Sequence, residues 1–383
     1  MFRHLMGASE ARGLLLDRCQ PIDRVEMISA AGSAGRVLSR DLVSPVDLPG
    51  FPRAAMDGFA VRSQETQGAT LTSPVYIERF VPVRTGAPVP GGFDAVLMLE
   101  DARLRGTTIE ATGAVRPYQN ISPIGEDLRR GEVVMGEGHR LRPPDIALMA
   151  SLGIREVEVY ARPRVQILPT GGELVPRWER PLLPGEAYET NPLMAGLYVE
   201  MWGGQAVYSA ILPDDPSEIL EAMSSCRDAD MAVVIGGTSV GERDYAPSVL
   251  AEAGELLVHG VRVQPGKPTA IGTVGGRPVI CLPGYPVAAL SDLLLFVRPA
   301  LKQMAHLSDP LPVVRATLAG KVASRPGYMS FVRVALRGGM AEPIMTSGAG
   351  ILSSVARADG FLLVPEEREG IEEGEIVDVY LFE

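Results

Sequence analysis

The sequence predicts a multidomain α/β protein built around a parallel sheet. A β-rich region precedes that sheet, and a small C-terminal β-barrel or sandwich follows it. Three observations carry this. At 383 residues the chain exceeds what one ordinary core serves, so two to four domains are expected. Near-continuous apolar strands alternate with helical stretches over residues 164–306, the pattern of a doubly wound sheet covered on both faces. Gly (42) and Pro (32) are abundant while aromatics make up only 5%, which favours short strands and turns elsewhere.

The elements follow in order. Ser9–Leu16 reads as a short helix, with Ser9 as its cap and Leu14, Leu15 and Leu16 as its apolar face. In the stretch 40–138, Val75-Tyr76-Ile77 and Ala95-Val96-Leu97-Met98-Leu99 read as strands separated by Gly/Pro turns. Residues 143–153 read as a helix with Pro at its start and Gly at its end. Strands are then expected at Val165–Leu168, Ala206–Ile211, Met231–Ile235 and Pro278–Leu282, with helices at 192–202, 216–226, 245–254 and 287–304. Ser308–Pro312 reads as a linker. Val313–Leu318, Phe331–Leu336 and Ile376–Phe382 read as C-terminal strands, and the acidic run Glu366–Glu375 as a solvated turn.

Composition excludes several classes of function. Charged residues make up 22% and the net charge is -11, with no basic stripe, so nucleic acid is not an expected partner. No apolar run is long enough to span a membrane, and the start of the chain has no long apolar segment of the signal-peptide kind. Cys19, Cys226 and Cys281 are odd in number and far apart, which argues against a disulfide framework or structural zinc and fits a cytoplasmic setting. The four histidines do not cluster.

Ligands of open parallel sheets bind beyond the C-terminal strand ends. Three strands here run into Gly-containing polar loops: Thr170-Gly171-Gly172-Glu173, Gly236-Gly237-Thr238-Ser239 and Pro283-Gly284-Tyr285-Pro286. Gly lets backbone N–H groups approach an oxyanion, so a phosphate-bearing ligand is expected; any one such loop could equally serve turn geometry alone. Neither a P-loop nor a dinucleotide fingerprint is present. Asp244 reads as a helix cap, or as a Mg²⁺ ligand or proton acceptor at a phosphate, Glu173 carries the same ambiguity, and Asp214 reads as a cap on composition alone. Lys267, framed by Pro265-Gly266-Lys267-Pro268, reads as an oxyanion contact or as an incidental Lys on a rigid turn. Asp57 in Ala55-Met56-Asp57-Gly58, Thr85 in Arg84-Thr85-Gly86-Ala87-Pro88, and Asp127 in Gly125-Glu126-Asp127 are ordinary turn residues in isolation.

Taken together the segments resemble the molybdopterin molybdenumtransferase family, the MoeA proteins and the gephyrin E domain. The motifs that carry the resemblance are Ala55–Arg62, Thr85–Pro90, Gly125–Asp127, Thr170–Leu174, Glu189-Thr190-Asn191, Gly236–Gly241 with Asp244-Tyr245, Pro265–Pro268 and Leu282–Val287. They occur in the family's order across nearly the whole chain. The resemblance implies an elongated α/β dimerisation segment (1–39 with 139–163), an inserted β-rich domain (40–138), an αβα molybdopterin-binding domain (164–306) and a C-terminal β-barrel (307–383). It also implies a homodimer whose site joins the αβα domain of one subunit to the inserted domain of the other. The implied reaction turns adenylylated molybdopterin and molybdate, with Mg²⁺, into molybdenum cofactor and AMP.

The implied roles fall residue by residue. Asp57, Asp244, Glu173 and Lys267 are catalytic candidates. Thr85, Gly86, Asp127, Gly236, Gly237, Thr238, Ser239, Gly266, Pro283 and Gly284 are substrate-binding candidates, and Asp214, Asp244 and Glu173 are Mg²⁺ ligand candidates. Molybdoenzyme maturation factors are candidate partners. The chain departs from the family's usual pattern at Gly172, Gln264 and Tyr285, where Asp, Lys and Asn are usual. These departures motivate one alternative, a non-catalytic cofactor-binding paralogue or scaffold; a tungsten-directed insertase is another, because molybdate and tungstate are nearly the same in size and charge. An adenylyltransferase is a third reading, opposed by the flanking domains.

Overall fold

In the computed structural model, residues 5–238, 245–345 and 348–383 are described. They form two compact units, one of residues 1–26 with 160–383 and the other of residues 27–159.

The larger unit is organised by a six-stranded sheet. Its strand order is Gln205–Tyr208, Arg164–Pro169, Met231–Ile235, Arg277–Leu282, Ala270–Val274, Glu255–His259. The first four strands are parallel. The last two are antiparallel additions that the sequence reading did not anticipate, so the sheet is mixed rather than wholly parallel. All five residues of Met231–Ile235 are buried, because successive side chains serve two different cores. Met231, Val233 and Ile235 join Val165, Ile167, Ile280 and Leu282 beneath the helix Thr190–Met201 and the long helix that starts at Pro286. Ala232 and Val234 join Val279 and Cys281 on the opposite face, against the helices Pro216–Ser225 and Ala246–Ala253. This two-sided burial is why the strands read as unbroken apolar runs.

The C-terminal strands Val313–Leu318, Met329–Arg337, Met340–Met345, Gly360–Val364 and Ile376–Leu381 close into a five-stranded barrel through the pairing of Met329–Arg337 with Gly360–Val364. The short strand Val263–Gln264 adds to the barrel beside Met329 and Ser330. The first helix spans Ala8–Leu16, and its cap is Gly7 rather than Ser9, which lies inside the first turn. The Ala8 N–H is met instead by the Glu366 carboxylate at 3.0 Å. No helix among the described residues is long and apolar enough to cross a membrane.

The smaller unit holds two three-stranded antiparallel sheets. One is ordered Val81–Val83, Gly58–Val61, Ala95–Met98, and the other Val75–Ile77, Thr108–Ala111, Ala102–Arg105. Phe59, Val61, Leu97, Ile77, Ile109 and Ala111 form a common core between them. The helix Pro143–Ser151 starts with Pro at its first positions, as expected, and Asp145 in its first turn accepts from the Arg142 backbone and guanidinium.

Candidate functional site

The three Gly-bearing loops meet at one edge because the strands feeding them are adjacent and parallel. Pro169 is in register with Ile235, and Ile235 with Leu282. Their continuations are bound together: the Thr170 N–H donates to Ile235 O at 2.9 Å, and the Gly236 N–H to Leu282 O at 3.1 Å. The approach is close enough to exclude side chains. A Cβ on Gly236, whose φ is +110°, would lie 2.3 Å from Thr170 O. Gly237 follows at φ +62°, a conformation that favours glycine. Thr238 is 2% exposed, and its Oγ1 has no hydrogen-bond partner among the described residues. Ser239 and Asp244 lie outside the described residues.

The Gly171-Gly172 turn lies beside them. The Glu173 carboxylate folds back over it, about 3 Å from where a Gly171 Cβ would stand. Asp214 Oδ2 accepts from the Gly172 N–H at 3.2 Å. Asp214 is therefore not the cap of the following helix. Asp215 is, accepting from the Ser217 N–H at 2.8 Å. The second loop wall, at Gly284, is held by Asn191, whose Nδ2 donates to Gly284 O at 2.6 Å. Asn191 ends the motif Glu189-Thr190-Asn191, and nothing local to that motif reveals this contact.

Next to this edge is a pocket of about 350 Å³ lined by Gln264–Pro268, Pro283, Tyr285, Arg325, Tyr328 and Arg333, among others. It lies between the connection joining the two antiparallel strands and the barrel. Its lining includes Lys267, Arg325 and Arg333 and no carboxylate among the described residues. Arg333 is 1% exposed, and burial pulls its pKa down; a guanidinium nevertheless stays charged at any working pH. Arg325 lies over the Tyr328 ring at 4.5 Å. Arg325 and Arg333 were missed in the sequence. The available signal was a lone Arg inside the apolar run Phe331-Val332-Arg333-Val334-Ala335. Tyr285, 64% exposed, stands at the pocket wall.

In the smaller unit, antiparallel pairing of Gly58 with Val83 sets the residues just outside those strands side by side. Asp57 Oδ1 accepts from the Thr85 N–H at 2.7 Å and from Thr85 Oγ1 at 2.8 Å. The backbone bond, then the hydroxyl bond, holds the Asp57 carboxyl below its ordinary pKa. Thr85 and Gly86 line an open depression of about 640 Å³ with Arg53, Asn120, Ser122 and Glu126. Asp127 is not in that lining. Its neighbour Glu126 is, and accepts the Ser122 hydroxyl.

Among the described residues, no group of three His, Cys, Asp or Glu side chains is arranged as a metal site. The donors present nevertheless suit Mg²⁺ at a phosphate. That ion takes one or two carboxylates and completes its shell with water and phosphate oxygens, and Glu173 and Asp214 flank one turn.

Comparison with known proteins gives three successive matches along the chain. Residues 6–153 match the MoeA N-terminal region (domain I and II), residues 166–303 a probable molybdopterin binding domain, and residues 315–382 the MoeA C-terminal region (domain IV). A molybdopterin molybdenumtransferase of Haemophilus influenzae is 30% identical, over 99% of each chain. Molybdopterin molybdenumtransferase 2 of Mycobacterium tuberculosis is 32% identical, over 92% of this chain and 93% of its own. The crystal structure of a molybdopterin biosynthesis MoeA protein from Pyrococcus horikosii superposes with a TM-score of 0.87 at 31% identity, covering 99% of this chain and 100% of that one. With matches that run the length of the chain in sequence and in fold, the protein belongs to the MoeA family.

Proposed function

We infer that this protein is a transferase of late molybdenum cofactor biosynthesis, inserting molybdenum from molybdate into adenylylated molybdopterin with release of AMP. The observation that carries this reading is the edge where three Gly-bearing loops meet beside a pocket lined by Lys267, Arg325 and Arg333. The Gly236-Gly237-Thr238 loop would face the substrate's phosphates, where the buried Thr238 hydroxyl has no hydrogen-bond partner among the described residues. The cationic pocket offers charge-assisted bonds to a tetrahedral oxyanion, either molybdate or a phosphoryl group. Glu173, Asp214 and Asp244 would hold Mg²⁺, which when bound supplies neutralising charge at the phosphates. The dithiolene sulfurs belong to the substrate, so the reaction draws on none of the three buried cysteines.

Asp57 and Thr85 stand on the smaller unit, away in sequence from the strand-end loops. We therefore propose a homodimer in which the Asp57 turn of one subunit completes the strand-end site of its partner. The segment 1–39 with 139–163 would serve dimerisation, and buried thiols fit a reducing cytoplasm. Asp57, kept ionised by Thr85, would orient the adenylate or a water for P–O cleavage.

The experiment is Mg²⁺- and molybdate-dependent AMP release from adenylylated molybdopterin, with Asp57→Ala and Asp244→Ala as variants. Each variant alone should be inactive, and a co-expressed mixture should regain part of the activity if the site is shared. Tight adenylate binding without AMP release by the unaltered protein would replace the transferase with a carrier. Lack of complementation would place the whole site within one subunit.

A further inference from the structure

Asp292 lies at the end of the helix Pro286–Asp292 and is 0% exposed. Among the described residues no cation is paired with it: its hydrogen-bond partner is Thr269, at 2.5 Å from Oδ2, and Oδ1 has none. An ionised carboxylate in such surroundings carries a desolvation cost that one hydroxyl does not offset.

The proton count points the same way. Thr269 Oγ1 is also 2.8 Å from Gly266 O, and a carbonyl oxygen can only accept. A threonine hydroxyl has one proton. If it goes to Gly266 O, the Asp292–Thr269 bond must be donated by Asp292. All bonds are then satisfied in one direction, from Asp292 Oδ2–H to Thr269 Oγ1–H to the Gly266 carbonyl. Burial raises the Asp292 pKa well above its ordinary value, in agreement with that direction.

This chain of bonds ends under the turn that carries Lys267. Gly266 is pressed so closely on Asp292 that a Cβ would lie 2.4 Å from Oδ1, and its φ is +133°. The Thr269 N–H donates to the same Gly266 carbonyl at 3.2 Å, and Lys267 O accepts from the Val261 N–H at 2.9 Å. The turn is thus tied on its buried side, while Gly266 and Lys267 line the cationic pocket on the other.

We propose that Asp292 is a positioning residue held as a neutral acid, whose proton, relayed through Thr269, fixes the Gly266 carbonyl and thereby sets Lys267 at the pocket. A neutral acid also adds no negative charge beneath the turn that carries Lys267. The effect on binding rests on the oxyanion reading of that pocket; the relay itself does not.

Three measurements test it on the full chain, with Asp292→Asn, Asp292→Leu and Thr269→Val. Infrared difference spectra of the protein against Asp292→Asn, at neutral pH, should contain the carbonyl stretch of a protonated carboxyl. Hydrogen exchange over residues 265–269 should quicken in Asp292→Leu and Thr269→Val but not in Asp292→Asn, whose amide donates the same bond. Binding of inorganic molybdate should weaken roughly tenfold in the first two, the loss of about one hydrogen bond, and stay within about threefold of the parent in the third. Thr269→Val keeps the shape of the side chain and serves if Asp292→Leu does not fold. A carboxylate band in place of the acid band overturns the proposal, as does an Asn variant that behaves like the Leu variant. Failure of the unaltered protein to bind molybdate, with the exchange pattern intact, supports the relay and sinks the oxyanion reading instead.

Discussion

At the strand-end edge of the central sheet the loops are packed backbone against backbone, whereas the Asp57 turn of the smaller unit presents a pair of exposed side chains. Gly236 and Gly237 are locked between neighbouring strands with positive φ, and the former would carry a Cβ into Thr170 O. Gly86, beside Thr85, also has a positive φ of +85°, yet beyond its chain neighbours no heavy atom of the described residues lies within 4 Å of where its Cβ would be. The same residue type thus answers two demands. In the larger unit it permits one loop to pack against the backbone of its neighbour. In the smaller it only permits a turn that presents Asp57 and Thr85.

That contrast can be broken experimentally. Gly236→Ala combines a steric clash with left-handed backbone and should cost about 3 kcal/mol or more of stability by denaturant titration, or prevent folding. A near-neutral result would mean the loop junction relaxes freely. Lys267→Met should weaken oxyanion binding by about 2 kcal/mol, about 30-fold, measured by equilibrium dialysis with molybdate. Gly86→Ala should cost only about 1 kcal/mol, since it pays backbone strain without a clash. A loss as large as that at Gly236 would erase the distinction.

The smallest effect is a titration. Asp57 has its pKa lowered by Thr85, so its hydrogen bonds support the turn above the ordinary carboxylate range. That support is lost as the pH falls through the depressed value. In Thr85→Val the hydroxyl donor is gone and the backbone donor remains. The Asp57 pKa, followed by NMR, should move up towards the ordinary carboxylate value without reaching it. An unmoved pKa would show that the backbone bond alone sets it.

Much of this was legible in the residues. Apolar runs bounded by Gly and Pro located Met231–Ile235 and Val313–Leu318 to the residue, and the strand ends identified the three loops. The antiparallel strands Glu255–His259 and Ala270–Val274 were not anticipated. Ala270-Ile271-Gly272-Thr273-Val274 contains a Gly that lowers strand propensity, and only its position against Glu255 O requires that Gly. Ser9 and Asp214 each sit one or two residues from a true cap, at Gly7 and Asp215. Local sequence ranks such neighbours alike, and hydrogen bonding separates them.

By itself, then, the sequence determined the order of motifs, the two-sided burial of the central strands, and the residue types able to meet a phosphate or oxyanion, because these depend on local periodicity and side-chain chemistry. Tertiary structure alone decided that Asp57 is held by Thr85, that Asp214 binds Gly172, that Arg325 and Arg333 join Lys267 at one pocket, and that Asp292 lies beneath it. Each of those pairs or groups is separated by many residues along the chain. Strand pairing and packing bring them within hydrogen-bonding or contact distance, and no local pattern encodes which partners will meet.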